Sequence, residues 1–226
     1  MTPRDPKIAI VDYGLGNLFS IERACQHAGM KVTLTGRGAD LQAAEAVLLP
    51  GVGAFADAME ALRERQLIQP LKDLAGDGKP LIGICLGLQL MMSESHEFGV
   101  HAGLGLIEGT VERLPEDGMA RPGAKRLKIP QVGWNRIQGL TPGEWDGSIL
   151  AGLEDGAYMY FVHSYYARPR DPGVVLSRTR YGEHDFCSSL RQGNIVACQF
   201  HPERSGPDGL RVYHNLRRLL SEGELK

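Results

Sequence analysis

The sequence predicts an α/β fold: a doubly wound, flavodoxin-like open sheet, mostly parallel, with an antiparallel C-terminal extension. Three observations lead there. Up to Ser95 short apolar runs alternate with amphipathic stretches, the pattern of a parallel sheet wound with helices. Two of those runs, Ala46 to Leu49 and Pro80 to Ile84, are wholly apolar, as buried parallel strands are. Beyond Ser95 the helical spacing gives way to short strands and turns, among them the hairpin connection Arg191-Gln192-Gly193-Asn194.

Taken in order, Lys7 to Val11 reads as a first strand, followed by the Gly-rich turn Asp12-Tyr13-Gly14-Leu15-Gly16-Asn17 and a helix from about Leu18 to Gly29. The two glycines invite a phosphate-loop reading, but no third glycine or Walker lysine follows. The plainer reading is a tight turn at the carboxyl end of a strand, where open parallel sheets place their sites. Lys31 to Leu34 is a second strand and Asp40 to Ala44 a short helix. Ala46 to Leu49 runs into Pro50-Gly51-Val52-Gly53, a backbone able to present N–H groups to an anion. Phe55, Met59 and Leu62 have helical spacing, a second helix covers Leu67 to Ala75, and Gly76-Asp77-Gly78 ends it. Pro80 to Ile84 is the next strand, with a helix expected over Leu88 to Ser95. Gly99 to Gly109 reads as a glycine-rich loop passing into a strand, and Val111 to Leu114 as a strand. Pro115 to Arg126 is a polar surface loop whose basic group Arg121, Lys125, Arg126 and Lys128 is either solvated or meets an anionic surface. Strands follow at Pro130 to Val132, Trp134 to Ile137, Ala157 to Val162, Val174 to Tyr181, Phe186 to Arg191 and Ile195 to Phe200. An amphipathic helix over Pro207 to Ser221 closes the chain.

Composition sets the limits. A chain of 226 residues is enough for one domain over 1–226 with a substantial core. A net charge of −2 argues against a nucleic-acid surface. The four cysteines, Cys25, Cys85, Cys187 and Cys198, form no C-x-x-C pair and no disulfide framework, so neither structural zinc nor an oxidising compartment is indicated. No metal or cofactor is expected. The polar start without a signal peptide, and the lack of a membrane-length apolar run, make the expected location cytoplasmic.

The stretch that carries chemistry is Leu81 to Gln89. A strand ends on Cys85 between Gly83 and Gly87 and a helix begins at once, the geometry of a nucleophile elbow with sulfur in place of oxygen. Such a turn needs small residues two before and two after the nucleophile, and the following helix N-terminus favours a thiolate. Position alone leaves a buried structural cysteine open as the alternative. A second strand end supplies the missing partners. Pro202 forces His201 out of the helical region, and if the segment stays extended His201 and Glu203 share a face. Cys85, His201 and Glu203 then fill the roles of nucleophile, base and orienting carboxylate.

Gly83-x-Cys85-x-Gly87 with Gln89, followed by His201-Pro202-Glu203, resembles the class I (triad) glutamine amidotransferases over nearly the whole chain. Four further motifs are similar to those of the glutaminase subunits of imidazole glycerol phosphate synthases: Asp12-Tyr13-Gly14-x-Gly16-Asn17, Pro50-Gly51-Val52-Gly53, Pro130-Gln131-Val132-Gly133-Trp134-Asn135 and Tyr160-Phe161-Val162-His163-Ser164-Tyr165. The resemblance implies hydrolysis of glutamine through a glutamyl thioester on Cys85, with an oxyanion held by the Leu86 N–H and an N–H of Val52 or Gly53. It implies that Gln89, Glu97, Ser164 and Tyr165 hold the substrate. It further implies a heterodimer with a (β/α)8-barrel cyclase that receives the ammonia, docked against Asn17, Trp134, Tyr160 and Arg204.

Three other readings remain. A sibling amidotransferase subunit serving aminodeoxychorismate or pyridoxal phosphate synthesis is disfavoured by the Pro50–Gly53 and Pro130–Asn135 motifs. A cysteine peptidase or chaperone-like relative of the same broad fold generally lacks His-Pro-Glu at this spacing. A non-catalytic scaffold has no use for an intact Cys85, His201 and Glu203.

Overall fold

The structure is a computed structural model that describes residues 5–116, 127–141, 143 and 145–225. Its main sheet has seven strands. Five are parallel: β1 (Lys7–Val11), β2 (Lys31–Thr35), β3 (Ala46–Leu49), β4 (Leu81–Ile84) and β13 (Ile195–Cys198), arranged β2-β1-β3-β4-β13. This is the flavodoxin-like strand order. Two antiparallel strands, β12 (His184–Gln192) and β11 (Val175–Tyr181), extend it beyond β13. The expected hairpin closes with Gln192 opposite Ile195.

Both faces of the inner parallel strands β1, β3, β4 and β13 are buried, which is why their sequences are apolar runs; the edge strand β2 is largely exposed. Ile8, Ile10, Leu48, Ile82 and Val196 pack with α1 (Leu18–His27) and α6 (Gly206–Glu222) through Ile21, Cys25, Val212, Tyr213 and Leu216. The alternate residues Ala9, Val11, Val47, Leu49, Leu81 and Ala197 face the other way. They meet Leu41 of α2 (Gly38–Ala43), Phe55 and Leu62 of α3 (Phe55–Glu64), and Leu71 and Leu74 of α4 (Ile68–Gly76).

Two smaller sheets complete the fold. One runs β10-β7-β5-β6, from Tyr165–Pro169, Ile107–Arg113, Met92–Ser95 and His101–Ala102. The other is the antiparallel pair β8 (Gln131–Arg136) and β9 (Tyr158–His163).

Three expectations are corrected here. The helix after Cys85, α5, covers only Leu86–Leu90, and Met92–Ser95 is a strand. The carbonyls of Leu90, Met91 and Met92 accept N–H groups from Leu104, Leu106, Ile107 and Gly105, so the loop returning to β7 ends the helix. β10 was not anticipated; it is made by pairing with β7, a partner more than fifty residues earlier in the chain (Tyr165 opposite Arg113). The two strands expected over Pro130–Val132 and Trp134–Ile137 are one, continuous through Gly133. Of the predicted basic loop, residues 117–126, with Arg121, Lys125 and Arg126, lie outside the described residues.

The fold places the elbow tightly. A Cβ on Gly87 would lie 1.9 Å from the Leu49 carbonyl oxygen at the end of β3. Neither is free to move, since Leu49 ends a buried strand and Gly87 sits in the first turn of α5. Gly87→Ala is therefore expected to lower the unfolding free energy by at least about 2 kcal/mol, read by urea denaturation; an unchanged midpoint would contradict this packing.

Candidate active site

Cys85 follows β4 directly. Its backbone is left-handed, φ 55° and ψ −108°, and Leu86 begins α5. Such a conformation in a non-glycine residue is held against a cost of about 1–3 kcal/mol by its surroundings. The Cys85 N–H donates to the Cys198 carbonyl at 2.8 Å, extending the β4–β13 ladder by one bond. The chain then leaves β13 through Gln199 and Phe200 to His201. Two adjacent parallel strands thus deliver the sulfur and the imidazole to the same sheet edge.

His201 and Glu203 meet as the sequence implied, by a different backbone. Pro202–Arg204 is a 3-10 turn, not an extended segment, and it brings Glu203 back onto the ring. His201 Nδ1 lies 2.8 Å from Glu203 Oε1, with side chains 4% and 0% exposed. Because a carboxylate only accepts, Nδ1 carries the proton and Nε2 is left for other work. The loop is clamped: His201 N–H donates to the Tyr160 carbonyl at 2.9 Å. The Ser205 hydroxyl donates to the His201 carbonyl and accepts from the Tyr160 N–H, at 2.6 and 3.0 Å.

Burial alone would lower the His201 pKa. The nearby Cys85, then the hydrogen bond and charge of Glu203, outweigh burial and push it up to about 10. His163 shows the opposite outcome. Burial brings it down to about 4, partly opposed by its Nδ1–H bond to the Tyr165 carbonyl and reinforced by the charge on His201. Burial raises the other thiols. Cys25 and Cys187 are each pushed up to about 12 and Cys198 is raised well above its ordinary value, with Glu203 adding to the effect at Cys25 and Cys198.

Cys85 opens onto a cavity of about 250 Å³ lined by Val52, Gly53, Leu86, Gln89, Glu97, Pro130, Val162, His163, Ser164 and Tyr165. Every residue assigned to the oxyanion hole or to substrate is in that lining. Gly53 has φ +111°, open to glycine alone without strain. The Tyr13 hydroxyl fixes the start of this segment by donating to the Pro50 carbonyl at 2.7 Å. Glu97 is already engaged, its Oε2 accepting the Phe55 N–H at 2.5 Å. It therefore ties the rim of the cavity to the end of the 51–54 segment.

Outside the cavity, the Arg204 guanidinium lies 4.4 Å over the Tyr160 ring, and Trp134 meets Tyr160 edge-on at 6.1 Å. Trp134 is 54% exposed, and Val132 and Tyr158 beside it are exposed as well. Asn17 is the residue before α1, at its N-cap. A larger depression of about 800 Å³, beside Lys128, Pro130 and Tyr181, has no cysteine, serine or histidine among its described lining residues. Among the described residues no three His, Cys, Asp or Glu side chains gather as metal ligands, and no helix is long and apolar enough to cross a membrane.

One residue at the site escaped the sequence reading. Gln199 is fully buried and its Nε2 lies 3.6 Å from Cys85 Sγ. A signal was present: the sequence reading of Ile195 to Phe200 as a strand puts Gln199, two residues before His201, on the same face as it, although β13 ends at Cys198.

Residues 9–216 match the family glutamine amidotransferase class-I. The chain is 44% identical over 213 residues to the imidazole glycerol phosphate synthase subunit HisH of Moorella thermoacetica, covering 94% of this chain and 95% of that one. It is 42% identical over 207 residues to the subunit of the same name from Rhodopirellula baltica, covering 91% and 94%. The chain belongs to the class-I glutamine amidotransferases and, within them, to the HisH family. Solved structures agree on the fold. A glutamine amidotransferase superposes with TM-score 0.69 at 20% identity, covering 95% of this chain and 98% of that one. PurLQS from Thermotoga maritima gives 0.71 at 18%, covering 96% and 100%. The HisH assignment makes the chain a glutamine amidotransferase subunit, an enzyme component and not a scaffold.

The two buried histidines of this HisH-family site have opposite linkage. His201, raised above the ordinary value of about 6.5, adds stability that is full below about pH 6.5 and is lost as pH rises to about 10. His163, lowered, costs stability as pH falls from about 6.5 to about 4. NMR of histidine-labelled protein is expected to show neither ring titrating between pH 6 and 8; an ordinary titration of either one would contradict this electrostatic picture.

Proposed function

We propose that this chain hydrolyses glutamine to glutamate and ammonia as a single domain over 1–226, and passes the ammonia to a (β/α)8-barrel cyclase subunit. The observation that carries the reading is the common cavity. The elbow sulfur, the Leu86 N–H, the Val52–Gly53 segment and the polar groups of Gln89, Glu97, Ser164 and Tyr165 converge there, with the His201–Glu203 pair adjoining. Its volume, about 250 Å³, is below the usual drug-sized range of about 300–1,000 Å³ and suits one free amino acid.

In the proposed reaction the Cys85 sulfur attacks the carboxamide carbon and a C–S bond forms. The carbonyl electrons move onto oxygen, which the Leu86 N–H and an N–H of Val52 or Gly53 stabilise. His201 gives its Nε2 proton to the nitrogen, the C–N bond breaks, and ammonia leaves a glutamyl thioester. Water then attacks the thioester, His201 takes its proton, and the C–S bond breaks to release glutamate. Glu203 keeps the ring oriented and its cation stable. Gln89, Ser164 and Tyr165 orient the amino-acid end, and the Glu97 carboxylate suits its ammonium. No cofactor is required.

The assignment to histidine biosynthesis rests on the HisH relatives, whose name describes them as subunits of imidazole glycerol phosphate synthase. The cyclase would join the ammonia to a phosphoribulosyl formimino carboxamide ribotide. The products would be imidazole glycerol phosphate and aminoimidazole carboxamide ribotide. The exposed Trp134 beside Tyr160 and Arg204 has the composition of an interface anchor, and with Asn17 it is the proposed docking face. Four free cysteines fit a cytoplasmic setting. A glutaminase with a mobile oxyanion segment can be kept idle until its partner binds: if the 51–53 N–H faces away in the free subunit, one donor is missing.

Ammonia release from glutamine tests both parts. The isolated chain is expected to turn over slowly, and the cyclase with its ligand to raise the rate by about a hundred- to thousandfold. Cys85→Ala is expected to remove at least about a thousandfold. Full turnover by the isolated chain would defeat the switch, and retained turnover in Cys85→Ala would defeat the mechanism.

A further inference from the structure

The buried hydrogen bonds behind the cavity determine which atom of Gln199 faces the nucleophile. The Tyr165 carbonyl can only accept, and it receives Gln89 Nε2 at 2.7 Å. That fixes the orientation of the Gln89 amide. The same Nε2 reaches Gln199 Oε1 at 3.1 Å, which in turn fixes the Gln199 amide and leaves its Nε2 at 3.6 Å from Cys85 Sγ. Turning Gln199 over would set two amide N–H groups against each other and an oxygen against the sulfur. Gln199 is 0% and Gln89 5% exposed, so water does not compete for these bonds.

We propose that Gln199 is a catalytic residue whose side-chain N–H holds the Cys85 sulfur as a thiolate aimed at the substrate carbon. The inference rests on Cys85 being the nucleophile. Gln199 and the proposed base His201 both follow the end of β13, and Gln199 supplies the neutral amide donor at the sulfur. The donor acts at two points of the reaction. It favours the state in which the proton already sits on His201, ready for the departing ammonia. It also receives the sulfur again when water displaces it from the thioester. Hydrogen bonds to charged groups in such dry surroundings are the strong ones. Gln89 has a double part: it lines the cavity, and it locks the amide that faces the nucleophile.

The test uses the full chain with Gln199→Met, which keeps the length and removes the donor, and Gln199→Glu, which sets a carboxylate oxygen against the sulfur. Alkylation of Cys85 by iodoacetamide, displacing iodide, is followed between pH 5 and 10 by mass mapping of the Cys85 peptide. Gln199→Met is expected to displace the rate–pH profile upward by about one pH unit and to slow alkylation at pH 6 about tenfold. Gln199→Glu is expected to displace it further. In the complex with the cyclase, kcat for ammonia release should fall about ten- to hundredfold in Gln199→Met with KM within about threefold. An alkylation profile that superimposes on that of the unaltered chain overturns the proposal, even if kcat falls, because a packing role would leave thiolate reactivity unchanged. Should either variant fail to fold, the unaltered chain decides: alkylating Cys85 must shift the Gln199 side-chain amide proton in an NMR spectrum, and no shift overturns the proposal. Cys85→Ala separates the two layers. Retained ammonia release in that variant defeats the nucleophile assignment, whereas lost release with an unchanged Gln199→Met profile defeats only the role of Gln199.

Discussion

The left-handed turn at Cys85 is the constraint on which the rest of the site depends. It lets β4 end in the sheet while the next residue already begins a helix, so the side chain stands at the sheet edge and borders the cavity. Two surroundings hold the turn. On one side the Cys85 N–H is bonded to the Cys198 carbonyl, tying the elbow to the strand that delivers His201. On the other, Gly87 packs against the last carbonyl of β3, the strand that runs on into the 50–54 segment. One strained residue therefore sets the sulfur's position relative to the proposed base and to the backbone proposed to hold the oxyanion.

The electrostatics follow from the same placement. His163 and His201 are both buried, and burial pulls each toward neutrality. Only His201 has Cys85 and Glu203 beside it, and they reverse the shift. His163 has a carbonyl and a nearby cation, so it stays neutral. The distinction lies in a 3-10 turn that returns a carboxylate to the ring, and the Ser205 clamp to Tyr160 keeps that turn in register. The same Tyr160 carries the Arg204 and Trp134 stack on the outside. A partner docked there would press on a residue whose backbone holds the catalytic loop.

Much of this was legible in the sequence. Ala46–Leu49 and Leu81–Ile84 are apolar throughout because both faces are covered, and β1 and β3 have the bounds the pattern implied. Cys85 and His201, two members of the proposed triad, stood out because each follows a strand end and is flanked by Gly or Pro. What escaped depends on distant pairing. The residues after Leu90 look helical until the 103–107 loop takes their carbonyls, and β10 exists through its pairing with β7. Glu203 reaches His201 by a local turn that an extended reading of His-Pro-Glu missed. Gln199 was passed over because a buried glutamine on a core strand has no meaning until the sulfur across the ladder is known.

Cys85 alone among the four cysteines is proposed to be activated and aimed into the glutamine-sized cavity. A diazoketone analogue of glutamine, which alkylates a thiolate with loss of nitrogen, tests this most directly when the labelled chain is digested and its cysteine peptides are weighed. The predicted result is one adduct per chain, on Cys85, suppressed by added glutamine. An adduct on Cys25, Cys187 or Cys198, or labelling of Cys85 that glutamine does not protect, would contradict it.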